Sequence, residues 1–262
     1  MLIKARPQRF LRLKILAFLA AVSGISITGT YMFASYIDTI SANQWYMTLG
    51  FHHIYVTSQR ETATDGAPRR RLEMARAMQG IPFDFYPATS AQHINEPETY
   101  RYWLGEEHWI WPARNHTEAS EQLADFRTHM NVINDVVRLQ LGSALVLADN
   151  VGLAADVKQQ MHRIIERVPQ TWEILFLGHC GKNETSRVME PPVDRLFVAT
   201  SPGCTYAYAV TQQGARRLKR VLDNMWPSSP RRSFGHVLQD MVGPMYIEAY
   251  VIDPPLAVQT NV

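Results

Sequence analysis

The feature that most constrains the fold is a short apolar run that stops at a polar pair. Residues Ala144 to Leu147 are apolar, and Ala148, Asp149 and Asn150 follow them. A continuous apolar run of this length is typical of a strand buried on both faces of a parallel sheet. Open α/β sheets bind ligands at the carboxyl ends of such strands, so Asp149 is a candidate ligand of a metal ion or a ribose. The alternative is that Asp149 and Asn150 only form a turn, because their side chains readily bond nearby backbone.

Strand and helix signals alternate through the rest of the chain. Apolar or alternating runs predict strands at 53–57, 81–86, 174–177, 205–210 and 246–252. Apolar residues three and four positions apart predict helices that carry 72–78, 123–137, 157–168 and 215–222. Thr211 is the predicted N-cap of the last helix. This order predicts an α/β domain with a Rossmann-type, mostly parallel sheet and helices on its faces.

The N-terminus carries a membrane-targeting pattern. Residues 1–14 hold five basic and no acidic side chains, and residues 15–37 hold no charged side chain. At about 1.5 Å per residue, a helix over this second segment exceeds the roughly 30 Å hydrocarbon core. Its length favours a retained signal anchor over a cleaved signal peptide, and its uniform apolarity argues against a mitochondrial presequence. The positive-inside rule then predicts a cytosolic tail at 1–14, an anchor at 15–37, a stem at 38–50 and a lumenal or external domain at 51–262.

The chain beyond the basic tail is slightly acidic. It holds 21 Lys and Arg residues against 24 Asp and Glu residues, so we expect no nucleic-acid partner. Sequons at Asn115 and Asn183 agree with lumenal exposure. The two cysteines, Cys180 and Cys204, either form one disulfide, as an oxidising compartment allows, or remain two buried thiols.

Five pieces of the chain, taken in order, resemble glycosyltransferase family 25, which includes bacterial lipooligosaccharide galactosyltransferases and procollagen galactosyltransferases. The forms Thr128-His129 and His179-Cys180 look most like divergent fungal members, and the resemblance covers roughly residues 50–260. The five pieces are His53-Ile-Tyr-Val-Thr-Ser with Arg69-Arg-Arg-Leu-Glu-Met, Gly80-Ile-Pro-Phe-Asp-Phe-Tyr-Pro-Ala, Ala124-Asp-Phe-Arg-Thr-His-Met, Ser143-Ala-Leu-Val-Leu-Ala-Asp-Asn, and Trp172-Glu-Ile-Leu-Phe-Leu-Gly-His-Cys-Gly with Ala207-Tyr-Ala-Val-Thr-Gln-Gln-Gly-Ala-Arg-Arg-Leu.

The resemblance implies a GT-A-like fold and a glycosyltransferase function. It implies a single-pass type II membrane protein of the Golgi or endoplasmic reticulum, with its catalytic domain in the lumen. The implied donor is a UDP-hexose such as UDP-galactose, and the implied acceptor is a glycan or glycoprotein. Such enzymes use Mn²⁺ or Mg²⁺ to neutralise the diphosphate leaving group, and hard oxygen ligands at a strand end suit both ions.

The chain departs from the family at three places. Where the family has Glu-Asp-Asp, this chain has Ala148-Asp149-Asn150, so one carboxylate is lost and another becomes an amide. The family's Phe-Asp-x-x-Leu pattern is here Phe234-Gly-His-Val-Leu238, and Asp240 is the nearest replacement for its acid. The opening loop before the arginines is also longer. The first departure predicts weakened metal binding.

The resemblance and the strand-end positions nominate a small set of site residues. Asp149 is the candidate catalytic and metal-binding acid, Asn150 is a second metal ligand, and Asp240 is a candidate catalytic acid on the acceptor side. The candidate donor-binding residues are Arg70, Arg71, Thr57, His129 and His179, since guanidinium groups suit phosphate oxygens. Structural alternatives remain open: the arginines as a solvated helix start, His129 as a buried core histidine, His179 as a loop former and Asp240 as a solvated helix acid.

Three functional hypotheses follow. The first is an active glycosyltransferase that transfers a hexose from a UDP-sugar to a glycan or glycoprotein. The second is a catalytically degenerate relative that binds a nucleotide, a glycan or a partner protein in the lumen. The third is an anchored binding module in which the aromatic residues of 100–111 stack on sugar rings. The preserved motifs are compatible with the first two hypotheses, and the altered acids favour the second. We take the first as the leading hypothesis.

Overall fold

The structure, a computed structural model, describes part of the chain. It describes residues 46–57, 67–94, 116–180, 187–193, 195–201, 204–225, 233–242 and 246–260. The chain divides into two compact units, Met1–Met47 and Thr48–Val262. The predicted tail at 1–14, the anchor at 15–37, most of the stem at 38–50 and the aromatic segment 100–111 lie outside the described residues. Within the described residues, no helix has both the length and the apolarity needed to cross a membrane.

Strands and helices alternate through the first half of the second unit. Several of their ends follow from local chemistry. Gly80 adopts a positive φ of 75° in the turn after the first helix, a conformation that glycine tolerates without strain. The elements in chain order are β1 (His53–Thr57), α1 (Ala67–Ala77), β2 (Asp84–Tyr86), a short 3-10 helix (Ala91–His93), α2 (His116–Arg138), β3 (Ser143–Ala148), β4 (Val151–Leu153) and α3 (Val157–Ile165).

The second half adds five more strands to the main sheet, together with β10 and two helices. The predicted N-cap of its first helix is confirmed, because the Gly214 amide donates to the Thr211 hydroxyl oxygen at 3.0 Å. The elements are β5 (Ile174–Phe176), β6 (Arg187–Val193), β7 (Leu196–Val198), β8 (Ala207–Thr211), α4 (Gln212–Met225), α5 (Phe234–Val242), β9 (Ala249–Ile252) and β10 (Ala257–Gln259).

One eight-stranded sheet organises the described part of the chain. Its order is β2-β1-β3-β8-β5-β9-β7-β6, and β4 and β10 form a separate antiparallel pair. Six of the eight strands run in one direction, as the predicted mostly parallel sheet requires. The other two, β8 and β7, run the opposite way, and β8 lies between β3 and β5. This reversal was not predicted, because the choice of neighbouring strand depends on partners far away in the chain.

Helices cover both faces of the sheet. Helices α1 and α3 pack on one face, where Met74, Met161 and Leu147 belong to one buried cluster. Helices α2, α4 and α5 pack on the other face, where Val146 and Leu218 belong to a second cluster. Every residue of β3 is buried, which explains why its sequence is a continuous apolar run. The α/β class that the sequence predicts is confirmed.

The edge strands differ from the prediction. The strand expected at 81–86 pairs only from Asp84, which lies opposite Tyr55. Ile81 is buried as expected, whereas Phe85 is partly exposed because β2 is the outermost strand on its side. Strands β4, β6, β7 and β10 were not predicted.

The two cysteines form a disulfide. Cys180 follows β5 and Cys204 precedes β8, and their Cα atoms are 5.6 Å apart. The bond closes the connection that contains β6 and β7, so the first of the two alternatives drawn from the sequence holds.

Candidate functional site

Polar residues collect where the aligned strands end. Residues that follow β1, β3, β5 and β9 meet at this side of the sheet, together with the start of the reversed strand β8. Backbone hydrogen bonds connect them: the Ala148 amide donates to the Tyr206 carbonyl oxygen at 2.8 Å, and the Leu177 amide donates to the Ala207 carbonyl oxygen at 3.0 Å. We call this group the carboxyl edge, and its members are Thr57, Asp149, Asn150, His179, Tyr206 and Asp253.

Asp149 is held at the carboxyl edge by strand β1. Its amide donates to the Thr57 carbonyl oxygen at 2.9 Å, and Asp149 is 7% exposed. The Thr57 hydroxyl donates to the Leu147 carbonyl oxygen at 3.3 Å. Thr57 therefore joins the ends of β1 and β3 and fixes the backbone that presents Asp149. Thr57, a candidate donor-binding residue from the sequence, thus lies next to Asp149, and its hydroxyl group bonds to the protein backbone.

Asn150 presents a polar atom that the protein does not use. Its backbone carbonyl oxygen accepts hydrogen bonds from the Thr260 amide at 2.7 Å and the Thr260 hydroxyl at 2.8 Å. Its side-chain Oδ1 is buried and has no hydrogen-bond partner among the described residues. A buried acceptor without a donor costs about 1–3 kcal/mol, so this oxygen is suited to a ligand.

Asp149 and Asn150 carry the kinds of oxygen atoms that could coordinate a divalent cation. Asp149 supplies carboxylate oxygens and Asn150 supplies a carbonyl oxygen, and these hard ligands suit Mg²⁺ and Mn²⁺. Within the described ranges, no group of three or more His, Cys, Asp or Glu residues could hold a metal ion. Magnesium is commonly held by one or two carboxylates together with substrate phosphates, so a two-residue set is sufficient only when the phosphates are present.

His179 belongs to the same edge and has a carboxylate partner. Its Nε2 lies 3.2 Å from Oδ1 of Asp253, which follows β9. The Tyr206 hydroxyl lies 3.1 Å from the His179 carbonyl oxygen and 3.3 Å from the Ala257 carbonyl oxygen, to either of which it can donate. The imidazole is 18% exposed, so one part of the ring remains accessible. The structure therefore brings the predicted His179 to the same edge as Thr57, Asp149 and Asn150.

His129 lies in the core. It is 3% exposed, its Nδ1 lies 2.9 Å from the Tyr208 hydroxyl oxygen, and its ring stacks on Phe234 with centroids 4.5 Å apart. Burial lowers the pKa of His129, although Asp125, whose Oδ1 is 3.7 Å from Nε2, partly opposes that shift. This is the buried core histidine that the sequence left open, and it packs against the middle of the sheet instead of at the carboxyl edge.

Asp240 is also separated from the carboxyl edge. It is an exposed residue near the end of α5. The next residue, Met241, accepts backbone hydrogen bonds from Tyr246 and Ile247, which lead into the start of β9. Because β9 runs in the same direction as most strands, its start lies at the edge of the sheet opposite the carboxyl edge. Asp240 is therefore not brought together with Asp149.

Arg70 and Arg71 lie in α1, which follows β1 after the carboxyl edge. Their side chains lie outside the described part of the structure, so their predicted contact with a donor diphosphate stays a prediction.

Sequence reasoning missed three members or supports of the site. Asp253 is an acid directly after a strand, so the rule that selected Asp149 also selects it. Tyr206 precedes a strand that runs in reverse, and Thr260 follows the unpredicted β10. No local pattern marks these two residues, because their roles depend on strand pairings that are distant in sequence.

Curated proteins support the resemblance to glycosyltransferase family 25. The chain is 26% identical over 110 residues to "Inactive glycosyltransferase 25 family member 3" of Mus musculus, a match that covers 41% of this chain and 19% of the mouse protein. It is 24% identical over 170 residues to "Glycosyltransferase 25 family member" of Drosophila melanogaster, which covers 61% of this chain and 27% of that protein. The chain thus spans less than a third of the length of these relatives.

One solved glycosyltransferase structure resembles the chain more distantly. A glycosyltransferase involved in the glycosylation of the major capsid of PBCV-1 matches with a TM-score of 0.43 and 14% identity, over 79% of this chain and 93% of that one. No family model matches the chain. The curated relatives confirm what the five motifs predict: the chain resembles members of glycosyltransferase family 25, at low identity.

Proposed function

We propose that the carboxyl edge binds a nucleotide sugar and that the protein is a glycosyltransferase. The reaction would transfer a hexose such as galactose from a UDP-sugar to a glycan or glycoprotein acceptor. The observation that carries this proposal is the position of Asp149, a nearly buried acid at the carboxyl end of a fully buried strand. The next residue is Asn150, whose buried Oδ1 has no partner among the described residues. Crevices at the carboxyl ends of α/β strands are the usual ligand sites of such sheets.

Asp149 and Asn150 would hold Mn²⁺ or Mg²⁺ together with the donor diphosphate. When bound, the ion would neutralise the negative charge that develops on the leaving diphosphate. Thr57 would keep Asp149 in place through its two backbone contacts with β3. A single carboxylate predicts weaker metal binding than the acidic triplet of the family provides.

The remaining donor contacts would come from His179 and the start of α1. His179 is held at its Nε2 by Asp253 and its Nδ1 is buried, so its ring would pack against the donor and shape this end of the carboxyl edge. Arg70 and Arg71 would pair with the diphosphate, because guanidinium groups bind phosphate oxygens in a bidentate manner. His129 supports α2 from within the core, and Asp240 could reach an acceptor only at a distance from the carboxyl edge.

The cellular setting is part of the same proposal. A GT-A-like domain would lie in the lumen of the Golgi or endoplasmic reticulum, held by an anchor at 15–37 as a single-pass type II membrane protein. The Cys180–Cys204 disulfide supports this setting, because disulfides persist in oxidising compartments.

A second candidate function is a lumenal protein that binds a nucleotide, a glycan or a partner without catalysis. Two observations favour it: Ala148 and Asn150 stand where the family has acids, and the mouse relative is named inactive. The two functions share the carboxyl edge and differ in whether turnover occurs.

Calorimetric titration of the protein with UDP, with and without Mn²⁺, tests the shared proposal. We expect binding that needs Mn²⁺ and that weakens about tenfold or more in Asp149→Ala, equivalent to roughly 1.4 kcal/mol. Asp223→Ala is the matched control, because Asp223 is an exposed acid on α4 that pairs with Lys219. Absence of UDP binding under either condition would contradict the proposal.

Release of UDP from UDP-galactose separates the two functions. Turnover by the unaltered protein that is lost in Asp149→Ala would exclude the hypothesis of binding without catalysis. A protein that binds UDP without turnover, and gains turnover with Ala148→Glu and Asn150→Asp together, would be a degenerate transferase.

A further inference from the structure

A second polar cavity lies outside the carboxyl edge. It has a volume of about 260 Å³ and lies along α3, beside the turn that joins β6 to β7. We call it the arginine groove. Its lining residues are Asp156, Gln160, Arg163, Ile164, Arg167 and Arg195.

The arginine groove carries an excess of positive charge. Arg163 is exposed on α3 and Arg167 is exposed in the turn that follows it, and no carboxylate in the described ranges forms an ion pair with either. The carboxylate of Asp156 accepts a hydrogen bond from Gln160 Nε2 at 2.6 Å and supplies one negative charge in the same lining. Arg195 Nη2 donates a hydrogen bond to the Pro254 carbonyl oxygen at 2.7 Å. Among the described lining residues, three guanidinium groups therefore share one cavity with one acid.

Two buried polar atoms of the lining residues, one an acceptor and the other a donor, lack hydrogen-bond partners among the described residues. Gln160 is 9% exposed, and its Oε1 is a buried acceptor with no hydrogen-bond partner in the described part of the chain. Arg195 Nε is a buried donor that likewise lacks a partner there. A buried polar atom without a partner is unfavourable, and a ligand that offers both an oxyanion and a hydroxyl group would satisfy both atoms.

We propose that the arginine groove is a binding site for an acidic saccharide, a sugar ring that carries a phosphate, sulfate or carboxylate group. The anionic group lies among Arg163, Arg167 and Arg195, since guanidinium forks match the geometry of oxyanions. A ring hydroxyl donates to Gln160 Oε1. The cavity of about 260 Å³ is slightly smaller than the roughly 300–1,000 Å³ of typical ligand pockets, which limits the ligand to a single small ring.

The groove adjoins the carboxyl edge without sharing its ligands. The Arg195 carbonyl oxygen accepts the Asp253 amide at 3.0 Å, and the Asp253 side chain contacts His179. Saccharide binding in the groove needs neither a metal nor a nucleotide. Its test can therefore fail while UDP binding succeeds, and the reverse also holds.

The first experiment titrates the full chain with glucose 6-phosphate in the presence of EDTA and without nucleotide. Glucose and inorganic phosphate are the comparison ligands, and glucose 6-sulfate and glucuronate identify the preferred anion. We expect saturable binding of at least one acidic sugar, none of glucose, and weaker binding of inorganic phosphate, which offers no ring hydroxyl. Failure of all three acidic sugars to bind would overturn the proposal, and inorganic phosphate that binds as tightly as the best of them would overturn its saccharide part.

The second experiment uses matched pairs of arginine variants. Arg163→Gln with Arg167→Gln should weaken binding of the acidic sugar at least tenfold, because both residues face the groove. Arg216→Gln with Arg220→Gln removes two exposed arginines with the same spacing from α4, on the other face of the sheet, and should leave binding unchanged. Equal losses in the two pairs would show a nonspecific charge effect and overturn the proposal.

Gln160→Leu tests the hydroxyl contact separately. We expect the preference for the acidic sugar over inorganic phosphate to disappear, while binding of inorganic phosphate stays the same. An unchanged preference would contradict the role of Gln160.

Discussion

Asp149 and His129 are both nearly buried polar residues, but their positions give them different roles. Asp149 directly follows strand β3 at the carboxyl edge of the sheet. The next residue is Asn150, whose buried Oδ1 has no partner among the described residues. His129 lies on a helix between Tyr208 and Phe234, where its polar nitrogen has a partner within the core. Position within an element therefore separates the ligand candidate from the core residue, although residue type alone does not.

The burial of His129 predicts a pH dependence of stability. Because burial lowers the pKa of His129, the unfolded chain takes up a proton below about pH 6.5 while the folded protein does not. Stability from this residue is therefore complete above about pH 6.5 and is lost as the pH falls below it. The limiting slope is about 1.4 kcal/mol per pH unit for one proton. Unfolding midpoints in urea measured from pH 7 to pH 5 should fall more steeply in the unaltered protein than in His129→Gln.

His162→Gln is the control for this pH series. His162 is exposed, so its substitution should change the slope less than substitution of the buried His129 does. His52, whose pKa burial also lowers, remains in both variants and keeps part of the slope. Equal slopes in His129→Gln and the unaltered protein would contradict a buried neutral imidazole.

Among the elements, the end of β5 shows how closely the strands approach at the carboxyl edge. A Cβ atom on Gly178 would meet the ring of Tyr206 and would lie 2.6 Å from the Ala257 carbonyl oxygen. The backbone of Gly178 thus leaves room for the Tyr206 hydroxyl to reach its two carbonyl acceptors. The close approach requires glycine because of space.

Gly178→Ala should destabilise the protein by about 1–3 kcal/mol, the usual cost of overpacking. Gly235→Ala is the matched variant, because its Cβ would meet Thr205 at an ordinary 3.5 Å near the start of α5. The second change should be neutral or stabilise by up to about 1 kcal/mol, since alanine favours a helix over glycine. Denaturant unfolding of both variants measures the difference, and a harmless Gly178→Ala would contradict the packing described at β5.

The disulfide stabilises the connection between β5 and β8. Cys180 and Cys204 are 24 positions apart, and closing a loop of this size contributes about 3 kcal/mol in the chain-entropy model. Cys180→Ser with Cys204→Ser should therefore lower the free energy of unfolding by about that amount. An unfolding curve that does not move under oxidising conditions would contradict a formed disulfide.

At the scale of the whole molecule, local patterns predicted the framework, and distant pairings decided the rest. The run at Ala144–Leu147 predicted β3 because a strand buried on both faces must be apolar throughout. The spacing of Leu123, Phe126 and Met130 likewise predicted α2. The reversal of β8 and the edge hairpin of β6 and β7 were not predictable, because no local signal states which strand is the neighbour.

The candidate site divides in the same way. Strand-end reasoning selected Asp149, Asn150, Thr57 and His179, which the structure brings to one edge. The contact between His179 and Asp253 spans 74 positions and appears only once β5 and β9 are neighbours. The arginine groove has the same origin, since Arg195 reaches α3 only through the position of the β6–β7 turn.

A nucleotide-sugar site at Asp149 is tested most directly by locating a paramagnetic ion at the carboxyl edge. We would record amide NMR spectra of the isotope-labelled protein with Mn²⁺ alone, UDP alone and both together. We expect the resonances of Thr57, Asn150 and Tyr206 to broaden when both are present, while those of Trp172 and Gln212 at the opposite edge remain. Broadening that is centred elsewhere, or that is absent with both ligands, would contradict a nucleotide-sugar site at Asp149.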